Sequence, residues 1–259
     1  MENNTPPTQP TLTIALALSG GAARGSFHLG FIQALLENNV RIAAVSGTSA
    51  GAIAGGALAC GIMPKEALEI VKSKPFRKLF KFGWFKKSLI KIETQNPLFD
   101  KLFPLQDLSQ TQIPLYVCAT DINANEALFF NSGEGKKLIL ASCALLPFFE
   151  PIPYEGRMLA DGGFLELLPT TPLLKYNLPI LSINLHPPMS IDTASDFKTI
   201  ALKAYDFLIT ANAKKDRENS TWYISPNELS QIKMHTLADL QKGYDLGYKS
   251  GLQWCENTL

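Results

Sequence analysis

The sequence predicts a three-layer α/β fold in which a mainly parallel central sheet is flanked by helices. Short apolar runs typical of buried strands alternate with longer segments whose apolar residues recur at helical spacing. Two strand-to-helix junctions, at residues 19–25 and 47–51, are rich in glycine. This alternation is typical of strand–helix–strand units, which build parallel sheets covered by helices. At 259 residues and 46% hydrophobic content, the chain can bury a substantial core.

The first elements follow from their apolar patterns. Residues 13–18 are a continuous apolar run and predict a buried strand, which a glycine-rich loop joins to a helix over residues 25–38. Residues 43–46 predict a short buried strand, followed by a sharp turn and a helix over residues 50–60. Residues 42–64 carry no charge, but small residues dominate them, so they predict a packed helix rather than a membrane span.

The later elements are spaced by turn residues. Prolines break residues 64–110 into irregular helical pieces. Further on, strands are predicted at 115–121, 127–130 and 178–184, a hairpin at 152–159, and helices at 137–144 and 238–254. We expect the chain after residue 184 to be mostly helical.

Composition and charge exclude several classes of protein. A net charge of +1 with 18% charged residues argues against a disordered, collagen-like or nucleic-acid-binding protein. The four cysteines are far apart and have no histidines at metal-ligand spacing. We therefore expect a reducing, cytoplasmic location, no metal site and no cofactor. We also expect one domain over residues 12–259, preceded by a flexible tail at residues 1–11.

The segment from Gly47 to Gly51 fits the pattern G-x-S-x-G between a buried strand and an alanine-rich helix. A serine on such a turn, here Ser49, projects its hydroxyl out of the sheet, and the flanking glycines permit backbone contacts that a Cβ would block. The helix that follows points its positive end at a developing negative charge. Taken alone, the pentapeptide fits a nucleophile and a structural turn equally well.

A second glycine-rich loop runs from Gly20 to Gly25. Its backbone amides could form an oxyanion hole, the pocket that stabilises the charge of a tetrahedral intermediate.

Nucleotide binding is the competing interpretation of this loop. A Walker loop needs lysine where Ser26 stands, and a dinucleotide fingerprint needs glycine where Ala22 stands. Nucleotide binding is therefore a minor alternative, which a shift of the melting temperature by ATP or NAD would reveal.

A third element, Asp161 with Gly162 and Gly163, follows the predicted hairpin. Alone, an Asp-Gly pair more often forms a turn than a catalytic site. Together, the glycine loop, the serine turn and this aspartate resemble the patatin-like phospholipase family, whose pattern is a GGxxRG-type loop, a GxSxG elbow and a distant DGG or DGA. The segment from Ala141 to Pro147 is similar to the family's A-S-x-A-x-P run, and the resemblance covers most of residues 12–185.

The resemblance implies a patatin-like fold and a serine–aspartate dyad without histidine. Ser49 would be the nucleophile and Asp161 the general base of a serine lipid acyl hydrolase, a phospholipase A or lysophospholipase-type esterase, acting through an acyl-enzyme on a lipid ester. The resemblance also implies oxyanion donors and loop support in the glycine loop, namely the amides of Gly20, Gly21 and Ala22, and Arg24 and Gly25. One departure is Glu166, where the family commonly has Asp or Asn. Another is a slight lengthening of the A-S-x-A-x-P run. The alternative is a catalytically silent lipid-binding or regulatory protein of the same fold.

A conventional triad is the rival within hydrolases. Ser49, Asp161 and His186 occur in the order of α/β-hydrolase triads, and His186 follows a predicted strand. Against it, only one or two strands precede Ser49, whereas several usually precede that elbow. We expect His28 and His235 to be partly exposed structural residues.

Residues 72–91 hold eight basic and no acidic side chains, interleaved with five aromatic residues. Such a segment suits peripheral contact with an anionic membrane. A basic-aromatic cap over the site, spanning residues 72–92, explains the pattern equally well. Nucleic acid is a poorer partner because the rest of the chain has no matching basic stretch.

Overall fold

The structure is a computed structural model. It describes residues 10–73, 80–82, 90–92, 97–188, 196, 200, 203, 204, 206, 207, 210, 213–234 and 236–259. The strands are β1 Leu12–Leu18, β2 Val40–Thr48, β3 Phe80–Phe82, β4 Ile90–Ile92, β5 Leu115–Asp121, β6 Glu126–Phe130, β7 Ile152–Tyr154, β8 Arg157–Asp161, β9 Ile180–Ile183 and β10 Trp222–Ile224. The α-helices are α1 Ser26–Glu37, α2 Ala50–Ala59, α3 Pro64–Lys72, α4 Pro97–Leu102, α5 Gly135–Ser142, α6 Ala213–Glu218 and α7 Leu240–Thr258.

Eight of these described strands form one sheet with the order β10-β9-β1-β2-β5-β8-β7, and β6 also pairs with β5. The pairs from β10 to β5 are parallel, whereas β6 and β8 run antiparallel to β5, and β7 antiparallel to β8. The predicted parallel sheet is therefore confirmed for its larger half. The hairpin β7–β8 supplies the antiparallel edge.

The alternation of side chains along β1 divides the core into two layers. Ile14, Leu16 and Leu18 point into the larger apolar cluster, which the α-helices cover. Ala15 and Ala17 point to the opposite face, into a smaller cluster with Leu168 and Leu173. Small alanines on that face let the segment after β8 pack close to the sheet. The two covered faces and the sheet give the predicted three layers.

Two parts of the sequence interpretation need correction in the described chain. The region after residue 184 is not simply helical, because Trp222–Ile224 forms β10 and extends the sheet beside β9. The strand predicted at 43–46 is longer at both ends, spanning Val40–Thr48.

Several predicted segments lie largely outside the described residues. These are the tail at 1–11 and the basic-aromatic segment at 72–92, of which β3 and β4 form a described two-stranded antiparallel pair. Within the described ranges, no helix has the length and apolar composition needed to cross a bilayer.

Candidate active site

Ser49 occupies a sharp turn between β2 and α2. Its backbone has φ 53° and ψ −117°, a combination that is strained for a residue with a Cβ. The strand ends at Thr48 and the helix begins at Ala50, so the turn consists of this one residue. This is the geometry in which a serine hydroxyl stands exposed at the end of a strand.

The two glycines of the predicted motif are required by close backbone contacts. A Cβ on Gly47 would lie 2.4 Å from the backbone of Gly51, and a Cβ on Gly51 would lie 2.2 Å from the carbonyl oxygen of Leu18. Either methyl group would push α2 away from the ends of β1 and β2. The glycines therefore allow the helix to start directly against the sheet.

Strand β5 brings Asp161 beside this turn. One edge of β5 pairs with β6, and its other edge pairs first with β2 and then with β8. Thr48 lies opposite Cys118, and Asp161 lies opposite the next residue, Ala119. The end of β2 and the end of β8 therefore meet along one edge of β5, although they are distant in sequence.

The carboxylate of Asp161 is buried and has few hydrogen-bond donors. It accepts the Gly163 amide at 2.8 Å. Burial raises the pKa of Asp161 to about 6, although the Gly163 amide and the nearby Ser49 hydroxyl lower it. Close packing also explains Gly162, because a Cβ there would lie 2.5 Å from the carbonyl oxygen of Cys118.

The glycine loop lies against the serine turn, but Gly20 does not serve as predicted. Its amide donates to the carbonyl of Leu167 at 3.2 Å, so it is not free to receive an oxyanion. A Cβ on Gly20 would lie 3.3 Å from the Cβ of Ser49, and this closeness explains the glycine. Within the described chain, the amides of Gly21 and Ala22 have no backbone acceptor. They remain candidate oxyanion donors, and Ala22 has a strained φ of 49°.

Arg24 and Gly25 are placed to support this loop. The Arg24 guanidinium donates to the carbonyls of Ile232 at 2.9 Å and Leu185 at 3.0 Å. A Cβ on Gly25 would lie 2.8 Å from the Cβ of Ala50. The loop is thus tied to the C-terminal region on one side and to α2 on the other.

Sequence reasoning missed three residues around Ser49. The hydroxyl of Ser142 accepts the Ser49 amide at 2.8 Å and donates to the Cys118 carbonyl at 2.5 Å. The thiol of Cys143 lies close enough to the Ser49 side chain for that side chain to lower its pKa, although burial raises this pKa more strongly. Ala50 begins α2, where first-turn amides lack helical acceptors, so its N–H is a further candidate oxyanion donor. The sequence could have predicted this role for Ala50, because Ala50 directly follows the motif serine.

The histidines do not form the rival triad in the described structure. The Nδ1 atom of His186 lies 3.4 Å from Asp206, and no described contact joins its ring to Ser49 or Asp161. His28 is fully buried rather than partly exposed, and its Nε2 atom lies 2.9 Å from the carbonyl oxygen of Ser19. His235 lies outside the described residues.

Fold and site together define an α/β protein with a strained serine and a buried aspartate at the end of a parallel sheet. The chain belongs to the patatin-like phospholipase family, whose family model matches residues 16–174.

Its relatives are similar over part of their length. The chain is 34% identical over 167 residues to an uncharacterized NTE family protein of Mycobacterium tuberculosis, and the aligned region covers 63% of this chain and 46% of the relative. It is 32% identical over 166 residues to lysophospholipase NTE1 of Saccharomyces cerevisiae, covering 61% of this chain and 10% of the relative. The chain thus spans less than half the length of these relatives.

The fold also resembles that of a solved structure, VipD from Legionella pneumophila. The TM-score is 0.60 at 18% identity, and the match covers 94% of this chain and 67% of the other. At that identity, the match supports the fold alone.

Proposed function

We propose that the protein is a lipid acyl hydrolase in which Ser49 is the nucleophile and Asp161 the general base. The observation that carries the proposal is that β5 brings the buried Asp161 beside Ser49, which stands at a strained strand-to-helix turn. A base whose pKa is about 6 is ionised at neutral pH and still accepts a proton readily.

In the first half of the reaction, Asp161 takes the proton of the Ser49 hydroxyl while the oxygen attacks the ester carbonyl carbon. The carbonyl oxygen becomes an oxyanion, which the amides of Gly21, Ala22 and Ala50 would receive. The tetrahedral intermediate then collapses, and Asp161 returns its proton to the departing alcohol. The acyl group remains on Ser49 as an ester.

In the second half, a water molecule replaces the alcohol. Asp161 removes one proton from the water as its oxygen attacks the acyl-enzyme carbonyl. Collapse of the second intermediate breaks the bond to Ser49, which regains its proton from Asp161. The products are a fatty acid and the free enzyme, and no step uses a histidine or a metal ion.

Lysophospholipids and phospholipids are the substrates that we propose to test first. The family name refers to phospholipases, and the yeast relative is named a lysophospholipase. The site residues take part in acyl transfer and leave the headgroup unspecified, so carboxylic esters of other lipids belong in the same panel.

Labelling by a fluorophosphonate and hydrolysis of this lipid panel test the proposal together. We expect Ser49→Ala to abolish labelling and to lower turnover by about 10³-fold or more, and Asp161→Asn to lower turnover by at least about 10²-fold. His186→Ala separates the dyad from the triad, and it should retain labelling and turnover. A folded wild type that neither labels nor turns over any ester would favour the silent lipid-binding alternative instead. Loss of both signals in folded His186→Ala would favour the triad.

We also propose that the protein contacts anionic membranes peripherally through residues 72–91. The support is the sequence of this segment, whose eight basic side chains alternate with Phe and Trp. Peripheral binding would bring a lipid-hydrolysing site to its substrate.

A further inference from the structure

Two buried carboxyl groups lie close to the candidate site and take no part in the proposed chemistry. Glu166 follows the Asp161 turn and is 8% exposed, and Asp216, on α6, is 0% exposed. Each carboxyl group lies close enough to the other to shift its pKa. We call Glu166 and Asp216 the carboxyl pair.

The contacts of the pair indicate that it holds a proton. A carboxylate can only accept hydrogen bonds, so two carboxyl groups bond to each other only if one is protonated. Glu166 Oε1 and Asp216 Oδ2 are buried, and no donor of the described chain reaches either one, so a proton held between them would satisfy both oxygens. The other oxygen of Asp216 is satisfied, because it accepts the Thr170 hydroxyl at 3.0 Å.

The surroundings of the pair raise its pKa and so favour the form that holds this proton. Burial raises the pKa of Glu166 to about 8, as does the neighbouring carboxyl group, and burial also raises the pKa of Asp216. The positive charge of Lys215 on α6 lowers the pKa of both Glu166 and Asp216. The thiol of Cys118 on β5 also faces the pair, and burial keeps its pKa well above the usual range, so it adds no charge.

The backbone around Glu166 joins the three segments of the site. The Glu166 amide donates to the Gly162 carbonyl at 2.8 Å, within the aspartate turn. The Glu166 carbonyl accepts the Thr48 hydroxyl at 2.9 Å, one residue before Ser49. The next carbonyl, that of Leu167, accepts the Gly20 amide of the glycine loop at 3.2 Å. Movement of Glu166 would therefore disturb all three segments together.

We propose that Glu166 and Asp216 share one proton and that the pair positions the aspartate turn, the serine turn and the glycine loop for the reaction. Both are positioning residues, since neither touches the reacting atoms. The catalytic part of this inference rests on the proposed lipid hydrolase function, whereas the shared proton does not.

Loss of the shared proton would place two adjacent negative charges in the protein interior. Repulsion would push Glu166 from Asp216, and its backbone would carry the motion to the site. We therefore expect kcat to fall with rising pH. It should drop by about ten-fold one pH unit above the pKa of the pair, with a smaller effect on KM.

The test compares wild type with Glu166→Gln, whose amide can donate a hydrogen bond to Asp216 without titrating. For both proteins, kcat, KM and the free energy of unfolding in urea are measured from pH 6 to 10. We expect the ratio of kcat at pH 9 to that at pH 7 to be near 0.1 in wild type and several-fold larger in the variant. Below about pH 8 the folded protein holds this proton and the unfolded chain does not, so wild type should lose stability from pH 6 to about 8 more steeply than the variant and level off above that pH. Glu256→Gln, an exposed change on α7, is the matched control and should follow wild type.

The outcomes separate the two proposals. Identical alkaline profiles of stability and kcat for wild type and Glu166→Gln would overturn the carboxyl pair. A difference in stability with no hydrolysis of any lipid ester by any form would support the shared proton and count against the hydrolase function. If Glu166→Gln does not fold, Asp216→Asn provides the same comparison from the other side of the pair.

Discussion

Burial shifts the pKa values of two titratable residues in opposite directions, lowering that of His28 and raising that of Asp161. Desolvation lowers the pKa of the buried His28 to about 4, although its hydrogen bond to Ser19 raises it. Desolvation raises the pKa of the buried Asp161 to about 6. In both cases the protein interior disfavours the charged form. The two residues should therefore affect the pH dependence of stability with opposite signs.

Replacing His28 should flatten the acid side of the stability profile. Between pH 6.5 and 4 the unfolded chain protonates this histidine while the folded protein does not, so acidification costs up to about 3 kcal/mol of stability. Gln keeps a side-chain amide that can donate to Ser19 and does not titrate. Urea unfolding of wild type and His28→Gln at several pH values measures the difference.

Asp161→Asn is the internal comparison. The folded protein binds the Asp161 proton more tightly than the unfolded chain, so wild type gains stability from this residue as pH falls from about 6 to 4. Relative to Asp161→Asn, wild type should become more stable on acidification; relative to His28→Gln, it should become less stable. Differences of the same sign for both variants would contradict the burial argument.

Residue identity was easier to predict than residue environment. The sequence pattern placed Ser49 on a turn, and the turn is there, but nothing in the pattern showed that Ser142 binds the Ser49 amide. The motif predicted that the Gly20 amide is free to bind an oxyanion, whereas this amide donates a long-range hydrogen bond to the Leu167 carbonyl. His28 was expected to be partly exposed, whereas the structure buries it against the Ser19 carbonyl, a contact that local periodicity does not encode.

At the scale of elements, glycines determine how closely α1 and α7 approach. A Cβ on Gly30 would lie 1.9 Å from the carbonyl oxygen of Tyr244, and one on Gly247 would lie 2.1 Å from that of Phe27. Gly243 and Gly251 lie one turn of α7 to either side and also meet α1. The helices therefore pack backbone against backbone, and α1 connects this contact to the glycine loop.

Gly247→Ala should destabilise the protein despite the higher helix propensity of alanine. Propensity favours alanine by about 1 kcal/mol, but the added methyl would overlap the Phe27 carbonyl, and overpacking of this kind costs about 1–3 kcal/mol or more. Thermal or urea unfolding checks the sign. Lys249→Ala, an exposed change on the same helix, should stay within about 0.5 kcal/mol of wild type. A Gly247→Ala protein more stable than wild type would refute the close contact.

Amphipathic spacing predicted a helix over residues 238–254, and α7 is present at Leu240–Thr258. The same spacing could not identify α1 as its partner, because glycines at every fourth position show that something packs closely but not what. Strand β10 was missed for another reason. Its three residues, Trp222–Ile224, are good strand formers but are too few to show alternation.

At the scale of the whole molecule, the register on β5 explains how remote motifs form one site. The parallel half of the sheet was predictable, because alternating strands and helices allow few other arrangements. The placement of Asp161 was implied by family resemblance, whereas its physical cause is that β8 continues along the β5 edge where β2 ends. Pairing between strands this far apart in sequence depends on the whole fold, and no local pattern specifies it.

The distribution of charge over the whole chain bears on the proposed membrane contact. Residues 72–91 hold eight of the 24 basic side chains and none of the 23 acidic ones, so the rest of the chain is net negative. Such an asymmetry would orient the protein on an anionic surface, with the basic segment towards the lipid.

Sedimentation with vesicles at low and high salt tests this orientation. We expect binding to vesicles that contain phosphatidylglycerol and little binding to pure phosphatidylcholine. Salt at 0.5 M should release the protein, because it shortens the electrostatic screening length to roughly 4 Å. Replacing both Lys86 and Lys87 by Gln should weaken binding by about ten-fold or more, since each lysine near the surface contributes about 1 kcal/mol. Lys249→Gln, which removes an exposed charge from α7, is the control and should bind as wild type does. A wild-type protein that stays in the supernatant with anionic vesicles at low salt would eliminate the membrane contact and leave the basic-aromatic cap as the explanation of the segment.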